Sequence, residues 1–109
     1  MNKYKIIISQ EAEDILTASY DYLYIKNPRA ATKWLDGMLQ TIQSLDTFPE
    51  QGSIIPEASF DAAFLDLHQI FYSMNNSGNC YRIIYKITKD VCKIVNVVTI
   101  RSAYQQPLA

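Results

Sequence analysis

Histidine, cysteine and glycine are all scarce in this chain of 109 residues, with one, two and three copies respectively. His68 and the two cysteines, Cys80 and Cys92, form no CxxC pair and no cluster at metal-ligand spacing, so a zinc site is excluded and no metal is expected. Gly37, Gly52 and Gly78 are isolated, which removes a glycine-rich phosphate loop and, with it, the usual nucleotide cofactors. Ten basic against eleven acidic residues give a net charge of −1. That balance provides no general positive field for holding a polyanion by counterion release, although a local basic patch stays open. The apolar runs are a few residues long, far below the ~20 needed to span a bilayer. The N-terminal Met1-Asn2-Lys3-Tyr4-Lys5 lacks the apolar region and small-residue cleavage site of a secretory signal, so the cytoplasm is the expected location. No internal repeat or low-complexity tract is present.

What the chain does have is 49% apolar and 19% charged residues, the composition of a folded globular protein. The length suits one domain, taken as residues 1–109. Tyr4 to Ile8 reads as a short strand, nearly buried on both faces. Ser9 caps the helix that follows, with Glu11, Glu13 and Asp14 at the positive end of its dipole. Ala12, Ile15, Leu16, Ser19, Tyr22 and Leu23 form its apolar stripe, which places Tyr22 on the core side while Tyr20 and Tyr24 share another face. The helix ends near Lys26. Asn27-Pro28 closes one helix and opens the next, with Asn at the N-cap and Pro at the first helical position. Ala31, Trp34, Leu35, Met38, Leu39, Ile42 and Leu45 make the stripe of this second helix, and Phe48-Pro49 ends it.

After an irregular connection through Gly52 and Pro56, residues from about Ala63 to Tyr72 read as a strand, with one helical turn near Asp61–Leu67 as the alternative. Asn75-Asn76-Ser77-Gly78-Asn79 is a turn leading to the dense β segment Tyr81–Ile87. Thr88-Lys89-Asp90 is the next turn, before the strand Val91–Ile100. Such a turn would set Cys80 across from Val98 and Cys92 across from Lys86, too far apart to form a disulfide. The expected class is α+β, in the order βααβββ: an N-terminal strand and a helical hairpin packed on a small antiparallel sheet.

The order and spacing of several short segments carry a resemblance. They are Tyr4-Lys5-Ile6-Ile7-Ile8-Ser9 with Glu11, Ala12 and Asp14, then Tyr20-Asp21-Tyr22-Leu23 and Asn27-Pro28-Arg29-Ala30-Ala31. Leu45, Phe48-Pro49-Glu50-Gln51-Gly52, Pro56-Glu57 and Tyr81-Arg82-Ile83-Ile84-Tyr85 follow. Together they resemble the ParE/RelE toxin superfamily of toxin–antitoxin and plasmid stabilisation systems, and within it the ParE-like branch with its longer paired helices and Phe-Pro-x-x-Gly turn. The resemblance implies a cytoplasmic toxin that causes growth arrest, is neutralised by a cognate antitoxin and has DNA gyrase as its target. Its oligomeric form would be a homodimer or a hetero-oligomer with the antitoxin. The RelE-like branch implies the alternative of a ribosome-dependent mRNA endonuclease. Two departures stand out. The Leu-Arg pair that members commonly carry before the Tyr-Arg-Ile strand is here Leu65-Asp66, followed by Leu67-His68. The His-x-x-Arg-like step at the end of the last strand is here Thr99-Ile100-Arg101-Ser102. These changes leave open a divergent target, or a non-toxic remnant that retains antitoxin binding.

RNA cleavage would need an acid, a base and cations close together. The groups available are Arg82, Lys86, Arg101 and Tyr104, with His68 as the one imidazole. Arg82, Arg101 and Tyr104 would serve the phosphate in the endonuclease reading, and all four would bind antitoxin or target in the gyrase reading. Arg82 and Lys86 share one strand face by the period of two; a solvated polar face is the alternative use. His68 has no neighbouring nucleophile and is read as structural. Trp34 and Met38 are read as core, and no cofactor is expected.

Overall fold

The computed structural model describes residues 3–73, 80–88 and 93–102. Strand β1 (Lys5–Ile8) leads into helices α1 (Gln10–Lys26) and α2 (Pro28–Gln43), and β2 (Ser53–Ile54), β3 (Leu67–Ser73), β4 (Cys80–Thr88) and β5 (Ile94–Ser102) follow. The strands form one sheet in the order β1-β5-β4-β3-β2. The β3-β4-β5 meander is antiparallel as expected, but β1 lies parallel to β5, so the sheet is mixed. The two-residue β2 was not legible in the sequence. It pairs antiparallel with His68 and Gln69, and single-turn 3₁₀ helices at Pro56–Ser59 and Ala62–Phe64 separate it from β3. The expected strand from Ala63 therefore starts four residues later, and the alternative helical turn is present.

Local chemistry sets these boundaries. Ser9 Oγ accepts from the Ala12 amide and donates to the Val98 carbonyl at 2.6 Å. Val98 is the extra residue of a β-bulge, because Tyr85 pairs with Val97 and Ile84 with Thr99. One hydroxyl thus caps α1 and satisfies a bulge carbonyl. Asn27 does the analogous work at α2, its side chain accepting from the Ala30 amide ahead of Pro28.

The hairpin register differs from the expected one: Thr88 pairs with Ile94 and Lys86 with Asn96, and the bulge shifts the remainder, so Tyr81 lies opposite Ser102. The connection is longer than Thr88-Lys89-Asp90. Cys80 is a free thiol at the start of β4, and Cys92 lies outside the described residues, as does the Asn75–Asn79 turn.

Both helices cover one face of the sheet. Ala12, Leu16, Trp34, Met38, Ile42 and Leu45 pack on Ile70, Ile83, Tyr85, Val95, Val97 and Ile100. The Trp34 ring meets Tyr81 edge-on at 5.3 Å. Gly37 permits this close approach, since a Cβ there would collide with the Tyr72 hydroxyl, which donates to the Trp34 carbonyl at 3.0 Å. Two expectations fail at the rim. β1 alternates between exposed and half-buried residues, because the helices cover only one of its faces. Tyr22 is 60% exposed, with Lys26 Nζ donating to its hydroxyl. It stands six residues beyond buried Leu16, about 120° round the helix, whereas half-buried Tyr20 is only about 40° away. Tyr20 and Tyr24 do meet, at 5.7 Å between ring centroids.

Candidate functional site

The face of the sheet away from the helices carries the chemistry. Side chains alternate along a strand, so Leu67, Gln69 and Phe71 of β3 share this face with Arg82, Ile84 and Lys86 of β4. The bulge at Val98 resets the phase of β5 and adds Asn96, Thr99 and Arg101. The register places them in three rows: Phe71, Arg82 and Arg101; Gln69, Ile84 and Thr99; Leu67, Lys86 and Asn96. Arg82 and Arg101 are directly opposed across β4 and β5, as two cations of a shared site would be.

Their surroundings differ. The 3₁₀ turn Pro56–Ser59 brings Glu57 onto this face, where its carboxylate receives both terminal nitrogens of Arg82, at 2.8 and 3.3 Å. Glu57 is 1% exposed, and the Arg82 side chain 13%. A planar guanidinium matches a carboxylate in this two-point geometry, which holds Arg82 firmly and neutralises it. Ile55 and Ile84 are completely buried yet stand apart from the helix-side core, consistent with a small second core beneath the same segment.

Lys86 is also paired. Its ammonium lies 3.1 Å from Asp66, with both side chains about half exposed. The hydrogen bond from Lys86 holds the Asp66 carboxyl below its ordinary value. Asp66, in the Leu65-Asp66 step singled out in the sequence, thus serves as a partner for Lys86. Arg101 makes no ion pair among the described residues, and its Nε is buried without a hydrogen-bond partner. Thr99 Oγ1 and Gln69 Oε1 share that condition on residues 2% and 7% exposed. Tyr104 lies outside the described residues.

His68 belongs to the other face. It pairs with Tyr85, stacks on that ring at 5.7 Å, and lies half-buried beside the helix-side core. Tyr85 explains the Phe-Pro-x-x-Gly turn: its hydroxyl donates to the Pro49 carbonyl at 2.6 Å and accepts the Gly52 amide at 3.2 Å. Burial pushes its pKa up, against the opposing pull of the Gly52 hydrogen bond. A Cβ on Gly52 would collide with the Gln69 carbonyl and the Tyr85 hydroxyl, so this turn needs glycine for close approach.

Among the described residues no three His, Cys, Asp or Glu side chains converge as metal ligands, and no helix is long and apolar enough to cross a membrane. Clefts open at two places among the described residues. One, of about 480 Å³, lies at the tip of the helical hairpin between Tyr24, Arg29 and Lys33. The other, of about 350 Å³, lies at the sheet edge by Gly52, Gln69 and Phe71. Sequence reasoning named Arg82, Lys86 and Arg101 as candidates and gave no role to Glu57, Gln69 or Thr99, which the register and the Pro56–Ser59 turn bring to the same face. The one signal for Glu57 was its place in the Pro56-Glu57 step of the resemblance, which carried no role.

Among curated proteins, none matches the chain. A solved structure from the chromosomal ParDE toxin–antitoxin system of P. aeruginosa superposes with a TM-score of 0.66 at 13% identity, covering 94% of this chain and 98% of that one. At that identity the likeness establishes the fold, which is the expected α+β architecture. The family model of the ParE toxin of type II toxin–antitoxin systems matches residues 6–107, and the chain belongs to that family.

Proposed function

We propose that this chain is the toxin of a type II pair, that it arrests growth by binding DNA gyrase without hydrolysing a substrate, and that a cognate antitoxin neutralises it. Membership of the ParE family supports the class. The observation that carries the mode of action is the pairing of the sheet-face cations: Arg82 is held by Glu57 and Lys86 by Asp66, while His68 faces the helices. A nuclease needs free cations and a proton acceptor on one face. The described face instead presents a rigid, largely neutralised surface, suited to a protein partner.

The antitoxin would dock along the hairpin, where Tyr22, Tyr24, Ile25 and Leu39 are exposed at 60%, 48%, 85% and 43%. An amphipathic segment that folds on binding gains most from such side chains, and without it the same surface favours self-association into a homodimer. Induced expression of the chain alone tests the function, with growth, DNA breaks and mRNA integrity scored in the same cells. Arrest with gyrase-linked breaks and intact mRNA is expected. Cuts in translated mRNA would replace the reading with the RelE-like endonuclease, and unaffected growth would point to a non-toxic remnant.

A further inference from the structure

The two outer edges of the sheet are finished differently. On one side β2 and the 3₁₀ turns that follow it lie along β3. On the other side β1 ends the sheet, and its backbone groups alternate between two directions. The Lys5 and Ser9 amides donate inward to the Lys93 and Val97 carbonyls, whereas the Tyr4 amide donates outward to the Asp46 carbonyl. By the same alternation Ile6 and Ile8 each direct an N–H and a C=O away from β5, and among the described residues nothing bonds to them. Sheets blunt such edges with charge, proline or a bulge, or keep them short. β1 is short, but Ile6-Ile7-Ile8 carries none of the other three devices, and Ile7 is 40% exposed. We propose that this edge pairs with the same edge of a second copy of the chain, antiparallel about a two-fold axis at Ile7, so that two sheets join into one.

Register singles out that pairing. Opposed residues of an antiparallel pair exchange both N–H···O bonds only where the groups of both point across the gap. Setting Ile6 against Ile6 of the second copy would require Tyr4, whose amide is already given to Asp46, and setting Ile8 against Ile8 would require Gln10, which lies in α1. Setting Ile6 against Ile8 uses the outward residues of both copies and no others. It also places Ile7 on Ile7 at the axis, in the closely spaced kind of pair where β-branched side chains meet. Charge favours the same register. Lys5, which makes no ion pair among the described residues, comes to lie opposite Ser9 of the second copy. There it stands beside the first turn of the other α1, whose Glu11 and Glu13 attract it through the solvent. A segment that is basic at one end and acidic at the other complements itself only when the two copies run in opposite directions. Tyr22, Tyr24 and Ile25 stand about 20 Å along α1 from Ser9, so the pairing leaves them free for an antitoxin. It goes beyond the toxin reading and does not depend on it.

Sedimentation equilibrium and amide hydrogen exchange of the full chain over a wide range of concentration test this. As concentration rises, the mass should climb from 12.5 kDa toward twice that value. Exchange at the Ile6 and Ile8 amides should slow at least tenfold over the same range, while the Ile7 amide, already turned toward β5, changes little. Ile7→Lys sets like charges against each other at the axis and should weaken the dimer at least tenfold. If that variant fails to fold, Lys5→Glu, at an exposed position, should weaken the dimer by repelling the acidic turn opposite, and adding Glu11→Lys and Glu13→Lys should restore it. A chain that stays monomeric at every concentration would overturn the proposal. So would a dimer that survives Ile7→Lys undiminished, or one in which Ile6 and Ile8 exchange freely, as a dimer held through the hairpin would show. Protection of these amides only on adding the product of an adjacent small gene would give the edge to that partner and overturn self-pairing.

Discussion

The two faces of the sheet are built by opposite means. The helix-covered face is an apolar core in which long side chains interdigitate, and its polar tips, the Tyr72 and Tyr85 hydroxyls, bond to backbone. The other face is closed by a short irregular segment whose anchor is one buried ion pair, Glu57 with Arg82. Burial on the first face follows from hydrophobic pattern alone. On the second it depends on a charge partner contributed from a distant part of the chain.

The largest effect should come from breaking the anchor. Glu57→Gln leaves Arg82 charged and without its partner, and should destabilise the fold by about 3–5 kcal/mol, read as a lower urea midpoint. Replacing both residues, Glu57→Leu with Arg82→Met, should restore most of that loss. A loss below about 1 kcal/mol for Glu57→Gln would mean that the pair behaves like a surface one and that the faces differ less than described.

On the helix-covered face, Gly37→Ala forces a methyl group against the Tyr72 hydroxyl and should cost about 1–3 kcal/mol. Adding Tyr72→Phe removes the nearest colliding atom and should recover part of the loss. Calorimetry on the single and double variants checks this.

The contrast between faces also explains what the sequence could reveal. The stripe of α2, the caps at Ser9 and Asn27, and the β3-β4-β5 meander are local patterns, written within a few residues, and they were readable. The parallel pairing of β1 with β5 joins residues about ninety positions apart, and Val98's bulge depends on that packing, so neither leaves a local signal. Arg82 and Arg101 were legible as candidates from strand period and resemblance. The state of Arg82 was not, because Glu57 reaches it from an irregular segment twenty-five residues upstream. Tyr22 was misplaced because a list of apolar residues tolerates a residue well round the helix from the stripe.

Smaller effects sharpen the picture at the junction of the faces. Ser9→Ala removes the α1 cap and the bond to the bulge carbonyl, and should cost about 1 kcal/mol. Hydrogen exchange should then rise in the first turn of α1 and near Val98. Asp46 provides the acid-side test: hydrogen bonds from Thr47 and Gln43 hold its carboxyl below the ordinary value of 3.8. A lowered folded-state pKa means that the contribution is complete above that value and is lost as the pH falls through the lowered one. Asp46→Asn should accordingly lower the melting temperature most near neutrality, with the difference from the unaltered chain shrinking as the pH falls below about 4. The smallest effect belongs to Lys86 and Asp66, where removing either should cost at most about 1 kcal/mol and the difference should vanish in high salt.

The most direct test of the central claim, that this fold disables gyrase by binding it, uses the purified chain with purified gyrase, relaxed plasmid and ATP. The account predicts that enzyme-linked linear DNA accumulates as supercoiling falls, in proportion to added toxin. Undiminished supercoiling with no linear product, at concentrations where the folded chain is in excess, would contradict it.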